Sequence, residues 1–242
     1  MLANNESGVV QSIQNVSEMI HAAGGLLHVD AVQAAGRIAV AIEVLGADLL
    51  SISSHKLGGP KGAGALVIRT EALHLADPLI RGGGQERGSR AGTENVAAIA
   101  GFGAAAATAR EALAEEHRQV LLLRDRFERE LKRTSPDAVI FGADANRLPN
   151  TTLFAVPGVK ADTAVIALDL EGVAVSSGAA CSSGKVQPSH VLAAMGLGPE
   201  LAKSAIRVSL GYSTTESEVD RGLDAWKKVY RTLHKGSEGI AA

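Results

Sequence analysis

A single cysteine among 242 residues means that no disulfide can close within the chain, which fits a reducing, cytoplasmic setting. Excess charge is also missing. With a formal net charge of −2 and a pI near 6.4, the sequence has no electrostatic footprint for nucleic acid or an anionic membrane. No uninterrupted apolar run approaches the ~18 residues that span a bilayer. The opening MLANNESGVV has neither the basic nor the apolar region of a secretory signal. Repeats, low-complexity tracts and flexible linkers are absent as well. Aromatic residues make up only 3% although hydrophobic residues reach 46%. Alanine, valine and leucine carry the difference, a mix suited to a helix-rich α/β enzyme of one large or two smaller domains.

What is present alternates in the βαβ manner. Residues 9–23 read as a helix closed by Gly24-Gly25, followed by a strand over 26–29 that ends at Asp30. Further strands are expected over 47–53 and 63–68. From 95 to 132 the sequence is helix-forming, with Val120, Leu123, Phe127 and Leu131 on one face, and Thr134-Ser135-Pro136 stops it. The pattern then changes. Strands over 139–141 and 151–156 accompany a helix over 161–171 that ends at Gly172. The last helix opens with the capping box Thr215-x-x-Glu218 and carries Val219, Leu223, Trp226, Tyr230 and Leu233 on one stripe. The expected division is a large domain over 1–115 and a small C-terminal domain over 116–242.

The chemistry concentrates in LLSISSHKLGGPKGAGALVIR, residues 49–69. Lys56 follows a buried strand directly, and ligands of open α/β sheets bind at that end of a strand. A lysine there can be a plain solvated loop residue. Its neighbours argue otherwise, because Ser53 and His55 supply polar groups and the glycines 58, 59 and 62 let backbone approach closely. The G-K-[ST] order of a nucleotide phosphate loop is missing. Asp30, in HVDAVQ, can cap the residues from Ala31 onward. A buried carboxylate beside an imine-forming lysine is also what pyridoxal phosphate needs, since the acid keeps the pyridine nitrogen protonated. In the second half Cys181 lies in SSGAACSSGK. A lone cysteine is commonly a small buried hydrophobe, but this run of glycine, serine and alanine suits a mobile, exposed loop, where Lys185 favours the thiolate.

Taken in order, NNESG, HVDAVQ, SISSHKLGGPKGAGAL, GGGQERGSRAGTEN, SSGAACSSG and SAIRVSLG resemble the cysteine desulfurases. These are fold-type I pyridoxal-phosphate enzymes of the class V aminotransferase group, and the resemblance covers the whole chain. It implies a mostly parallel mixed sheet in the large domain and an α+β small domain. It also implies that Lys56 holds the cofactor as an imine, Asp30 pairs with its ring nitrogen and Gln33 with its phenolic oxygen. Ser53 and His55 would bind the phosphate. Asn5 would lie between the phenolic oxygen and the substrate carboxylate, and Arg207 would clamp that carboxylate, which a planar guanidinium suits. Thr93 would reach the phosphate of the other subunit, implying a homodimer. Cys181 would attack the sulfur of L-cysteine, giving L-alanine and an enzyme persulfide. The serine-rich loop resembles that of the group serving iron–sulfur assembly, so a sulfur acceptor or scaffold protein is the implied partner. No metal site is assigned.

Family members normally carry an N-terminal segment before NNE, with a glycine–threonine turn for the phosphate and a histidine stacked on the ring. These 242 residues contain neither. Met1 reads as an internal methionine, and weak cofactor binding is expected; His21 and His28 do not fill the missing role, and His28 reads as structural. Three alternatives stay open: a selenocysteine lyase, an aminotransferase, or a non-catalytic chain that binds a partner.

Overall fold

The computed structural model of the chain describes residues 1–73, 77–178 and 189–238. They divide into two compact units, Met1–Ala3 with Gln11–Ala114 and Asn4–Val10 with Glu115–Ala242. Residues 4–10, read from the sequence with the large domain, therefore belong with the second unit. Backbone bonds explain it: the Leu148 N–H donates to the Gly8 carbonyl and the Val10 N–H to that of Asn146, both at 2.8 Å.

The first unit begins with α1 (Ile13–Ala22), β1 (His28–Asp30), α2 (Ile42–Leu45), β2 (Leu49–Ser53) and β3 (Gly64–Ile68). The sheet is mixed, in the order β1-β2-β3. β1 and β2 run parallel, with Asp30 opposite Ser51, because a helix-bearing crossover separates them. β3 returns antiparallel, with Ser53 opposite Gly64. The ten residues between β2 and β3 are too few for a crossover helix. The glycines of GGPKGAG therefore serve a reversal. Gly58 sits at φ +94°, and a Cβ on Gly59 would fall 2.3 Å from Ser54 Oγ.

A long helix, α3 (Val96–Thr134), runs from the first unit into the second. Its length and composition would allow it to cross a membrane, as for no other helix among the described residues. The apolarity of its first half is chiefly alanine and glycine, interrupted by Arg110 and Glu111.

The second unit holds β4 (Val139–Ile140), β5 (Thr151–Ala155), α4 (Ala161–Leu170), β6 (Ser176–Ser177), α5 (His190–Ala194), α6 (Pro199–Lys203), β7 (Ala205–Ser209) and α7 (Glu216–Glu238). Its sheet is antiparallel throughout, in the order β4-β5-β7-β6. The expected stripes form the core: Leu123, Phe127 and Leu131 of α3 join Val219, Leu223 and Trp226 of α7. Trp226 stands edge-on to Phe154, centroids 5.1 Å apart, and its indole N–H donates to buried Ser135 at 3.0 Å. That bond satisfies the one polar group the ring carries inside. Burial of this kind is where most of the unit's stability arises, and truncating such a ring costs about 3–5 kcal/mol.

Candidate active site

In the first unit the parallel pairing of β1 and β2 brings two strand ends to one side of the sheet. Asp30 closes β1 and Ser53 closes β2, and a single 3₁₀ turn, Ser54–Lys56, follows at once. Carboxyl ends of neighbouring parallel strands are where open α/β sheets bind ligands. Ser53 Oγ and His55 Nδ1 lie 2.9 Å apart. Lys56 is half-buried, and its ammonium has no hydrogen bond or ion pair among the described residues. The Val32 N–H donates to Asp30 Oδ1 at 2.9 Å. The local cap that the sequence allowed for Asp30 thus exists, and it leaves Oδ2 available. Gln33 supplies its carbonyl to Arg37 Nη1 at 2.7 Å. His28, on the strand before Asp30, bonds Ser51 Oγ at 2.8 Å, which is a structural contact.

The donor set of this end suits a pyridoxal phosphate: one carboxylate for a ring nitrogen, one unpartnered primary amine, and a hydroxyl–imidazole pair for a phosphate. Thr93 is exposed and follows a loop with an uncommon backbone. Glu86 and Arg87 both adopt positive φ, 49° and 55°, a region that side chains other than glycine and asparagine rarely enter. An Arg90–Glu86 ion pair at 2.7 Å holds that loop, with Arg90 Nη1 donating to the Gly92 carbonyl at 2.8 Å.

The second unit carries Asn5 and Arg207. The NNESG turn is built by Asn4, whose Oδ1 accepts from the N–H groups of Glu6 and Ser7, each at 2.9 Å. Arg207 lies on β7, opposite Leu153 and Ser176, and donates from Nη1 to the Asn5 carbonyl at 2.7 Å. Glu6 is buried and accepts a short hydrogen bond from Ser189, the residue that caps α5. Cys181 and Lys185 lie outside the described residues.

A model of the class-V aminotransferases matches residues 1–221. The chain belongs to that family. Its similarities within the class-V aminotransferases are specific. It is 46% identical over 233 residues to a cysteine desulfurase of Cereibacter sphaeroides, covering 96% of this chain and 59% of that protein. A cysteine desulfurase IscS of Dictyoglomus turgidum is 44% identical, with the same coverage of both chains. Among solved structures, a NifS-like protein of Rickettsia africae superposes with a TM-score of 0.88 at 40% identity, covering 95% of this chain and 60% of that one. SspA in complex with cysteine gives 0.71 at 30% identity, covering 88% and 58%. This class-V aminotransferase chain therefore spans about three fifths of the length of the relatives it matches.

Sequence reasoning missed one cluster, gathered around the buried Asp48. Asp48, just before β2, accepts from His21 Nε2 at 2.8 Å, from the Leu27 N–H at 2.8 Å and from Arg69 Nη2 at 2.5 Å. The His21 bond leads in drawing its carboxyl down from 3.8 to about 2, followed by the Leu27 N–H. The only signal was an acid at the mouth of an apolar strand. Its three partners lie 21 to 27 positions away.

Proposed function

We propose that this chain carries the catalytic residues of a pyridoxal-phosphate-dependent cysteine desulfurase, acting as a homodimer in the cytoplasm. The observation that carries the proposal is the unpartnered amine of Lys56 one turn beyond β2, beside the Ser53–His55 pair and next to the strand that ends at Asp30. Asp30 would hold the cofactor's ring nitrogen through its available oxygen, and Gln33 and Asn5 its phenolic oxygen. Ser53 and His55, with Thr93 from the other subunit, would hold its phosphate. When bound, the cofactor supplies an electron sink for the charge that develops at the substrate α-carbon.

The protein's own groups do the rest. Arg207 anchors the α-carboxylate of L-cysteine; Lys56 removes the α-proton and later returns protons to the carbon skeleton. The Cys181 thiolate attacks the substrate sulfur, so an S–S bond forms as the C–S bond breaks. L-cysteine and the enzyme thiol become L-alanine and the enzyme persulfide, and no external oxidant is needed. A sulfur acceptor or iron–sulfur scaffold protein then takes the sulfur.

The test is a single-turnover reaction with L-cysteine of the chain saturated with pyridoxal phosphate, in the excess that its expected weak binding requires, followed by amino-acid analysis and mass spectrometry of the protein. Alanine and persulfide on Cys181 in equal amounts are expected. Release of a keto acid with transfer of the amino group would overturn the reading in favour of an aminotransferase.

A further inference from the structure

The turn that carries Lys56 closes on Ser54. The Ser54 carbonyl accepts from the N–H groups of Leu57 at 3.1 Å and Gly59 at 3.0 Å, and the Ser54 N–H donates to the Ala63 carbonyl at 3.1 Å. Lys56 therefore lies inside a loop whose two flanks, Ser54 and Gly59, meet. They meet closely. A Cβ on Gly59 would fall 2.3 Å from Ser54 Oγ and 3.2 Å from the Cβ of Ala105 on α3. One helical turn earlier on α3, a Cβ on Gly101 would fall 2.8 Å from Pro60 Cγ. Positions 101 and 105 share one face of the helix, so the turn rests on α3 through contacts that only small residues allow. All of these residues belong to the first unit.

One atom of this contact works against stability. Ser54 is fully buried, and its hydroxyl has no hydrogen-bond partner among the described residues. A buried hydroxyl without a partner destabilises a fold, and alanine at the same place would avoid that cost. Departures of this kind are expected where a functional site requires them.

We propose that Ser54 and Gly59 are positioning residues for Lys56. The Ser54 Oγ fills the space that glycine leaves at position 59. That spacing fixes where the Lys56 amine stands relative to the Ser53–His55 pair and to the end of β1. Their role rests on the proposed bond between Lys56 and the cofactor, whichever reaction follows.

Ser54→Ala removes the filling atom without breaking a hydrogen bond to any described residue. Gly59 does not have positive φ, so Gly59→Ala added to the same chain refills the gap from the other side with carbon. The experiment compares the parent, Ser54→Ala and the double variant. It measures the thermal midpoint without cofactor, and the initial rate at which borohydride traps a pyridoxyl label on Lys56 in excess pyridoxal phosphate, with Lys61 as internal reference. Ser54→Ala should have a midpoint at or above the parent's. Its Lys56 labelling should be slower by about fivefold or more with Lys61 unchanged, and the double variant should return to within about twofold of the parent. Parental labelling of Lys56 in Ser54→Ala overturns the proposal. So does a lowered midpoint in that variant, because ordinary packing would then explain both losses, or a double variant that labels no faster than Ser54→Ala. A parent chain without label on Lys56 overturns the cofactor role of Lys56 and this proposal with it, which tells the two failures apart.

Discussion

Arg207 Nη1 donates to the Asn5 carbonyl at 2.7 Å, joining a strand near the end of the chain to a turn at its beginning, 202 positions away. Its Nη2 reaches Ser176 Oγ only at 3.5 Å, and Nε is buried without a hydrogen-bond partner. The guanidinium is thus fixed at one nitrogen and keeps donors for an anion. Arg207→Lys retains the charge but loses the fork. With charged hydrogen bonds contributing ~1.5–3 kcal/mol each, KM for L-cysteine should rise roughly 10–100-fold. Steady-state kinetics checks this, and an unchanged KM removes Arg207 from the carboxylate clamp.

Lys56 should be the residue that bonds the cofactor. Borohydride reduction of the chain with pyridoxal phosphate, followed by peptide mapping, is expected to find the pyridoxyl group there. Lys56→Ala should abolish the label. A label on Lys61, which lies in the reversal between β2 and β3, would sink the assignment.

Cys181→Ser should leave pyridoxal-phosphate absorbance intact and eliminate persulfide. The relevant measurement pairs a cofactor titration with a persulfide assay. Parental rates of sulfide release in the serine variant would make the cysteine a bystander.

Asp48 predicts acid sensitivity of the first unit. Its carboxyl titrates near 2 in the folded chain, below its ordinary 3.8. The lowered value means that ionised Asp48 stabilises the fold fully above pH ~4, and that this contribution disappears as pH falls through about 2. Asp48→Asn leaves His21 and Arg69, both partly exposed, facing a neutral amide and should cost about 2 kcal/mol at pH 7. Urea unfolding across pH 2–7 should show parent and variant converging at the acid end. Parallel curves would contradict the linkage.

Thr215 caps α7: its N–H donates to Glu218 Oε2 at 2.8 Å, and its Oγ1 accepts from the Glu218 N–H at 3.3 Å. The Thr215 N–H is the leading cause that lowers the Glu218 carboxyl from its ordinary value, ahead of the Thr215 hydroxyl. Thr215→Ala should destabilise the second unit by about 1 kcal/mol, measured as a lower thermal midpoint. A midpoint equal to the parent's would show the cap to be dispensable.

The stripes of α3 and α7 and their stop signals were legible because helix periodicity and capping act over three or four residues. The strand ends at Asp30 and Ser53 and the turn bearing Lys56 were legible for the same reason. Short elements escaped. α2, α5 and α6 hold four or five residues each, about one turn, too little for a periodic signal. The reversal that makes β3 antiparallel was readable in principle from its ten-residue connection, although the glycines read instead as a place where backbone approaches a ligand closely.

By itself, the sequence determined local conformation and the chemical inventory: which segments are helix or strand, where they end, and that one lysine follows a strand beside serine and histidine. Only the tertiary structure decided which distant groups meet. Glu6 receives the hydroxyl of Ser189, Asp48 gathers His21 and Arg69, and residues 4–10 join the second unit. The pairing of β6 with β7 stops two residues in, beside a cavity. Local propensity is a sum over near neighbours in the chain, and so it can be read in order. A hydrogen bond across 183 or 202 positions depends on the whole backbone path between its ends, which no short stretch of residues encodes.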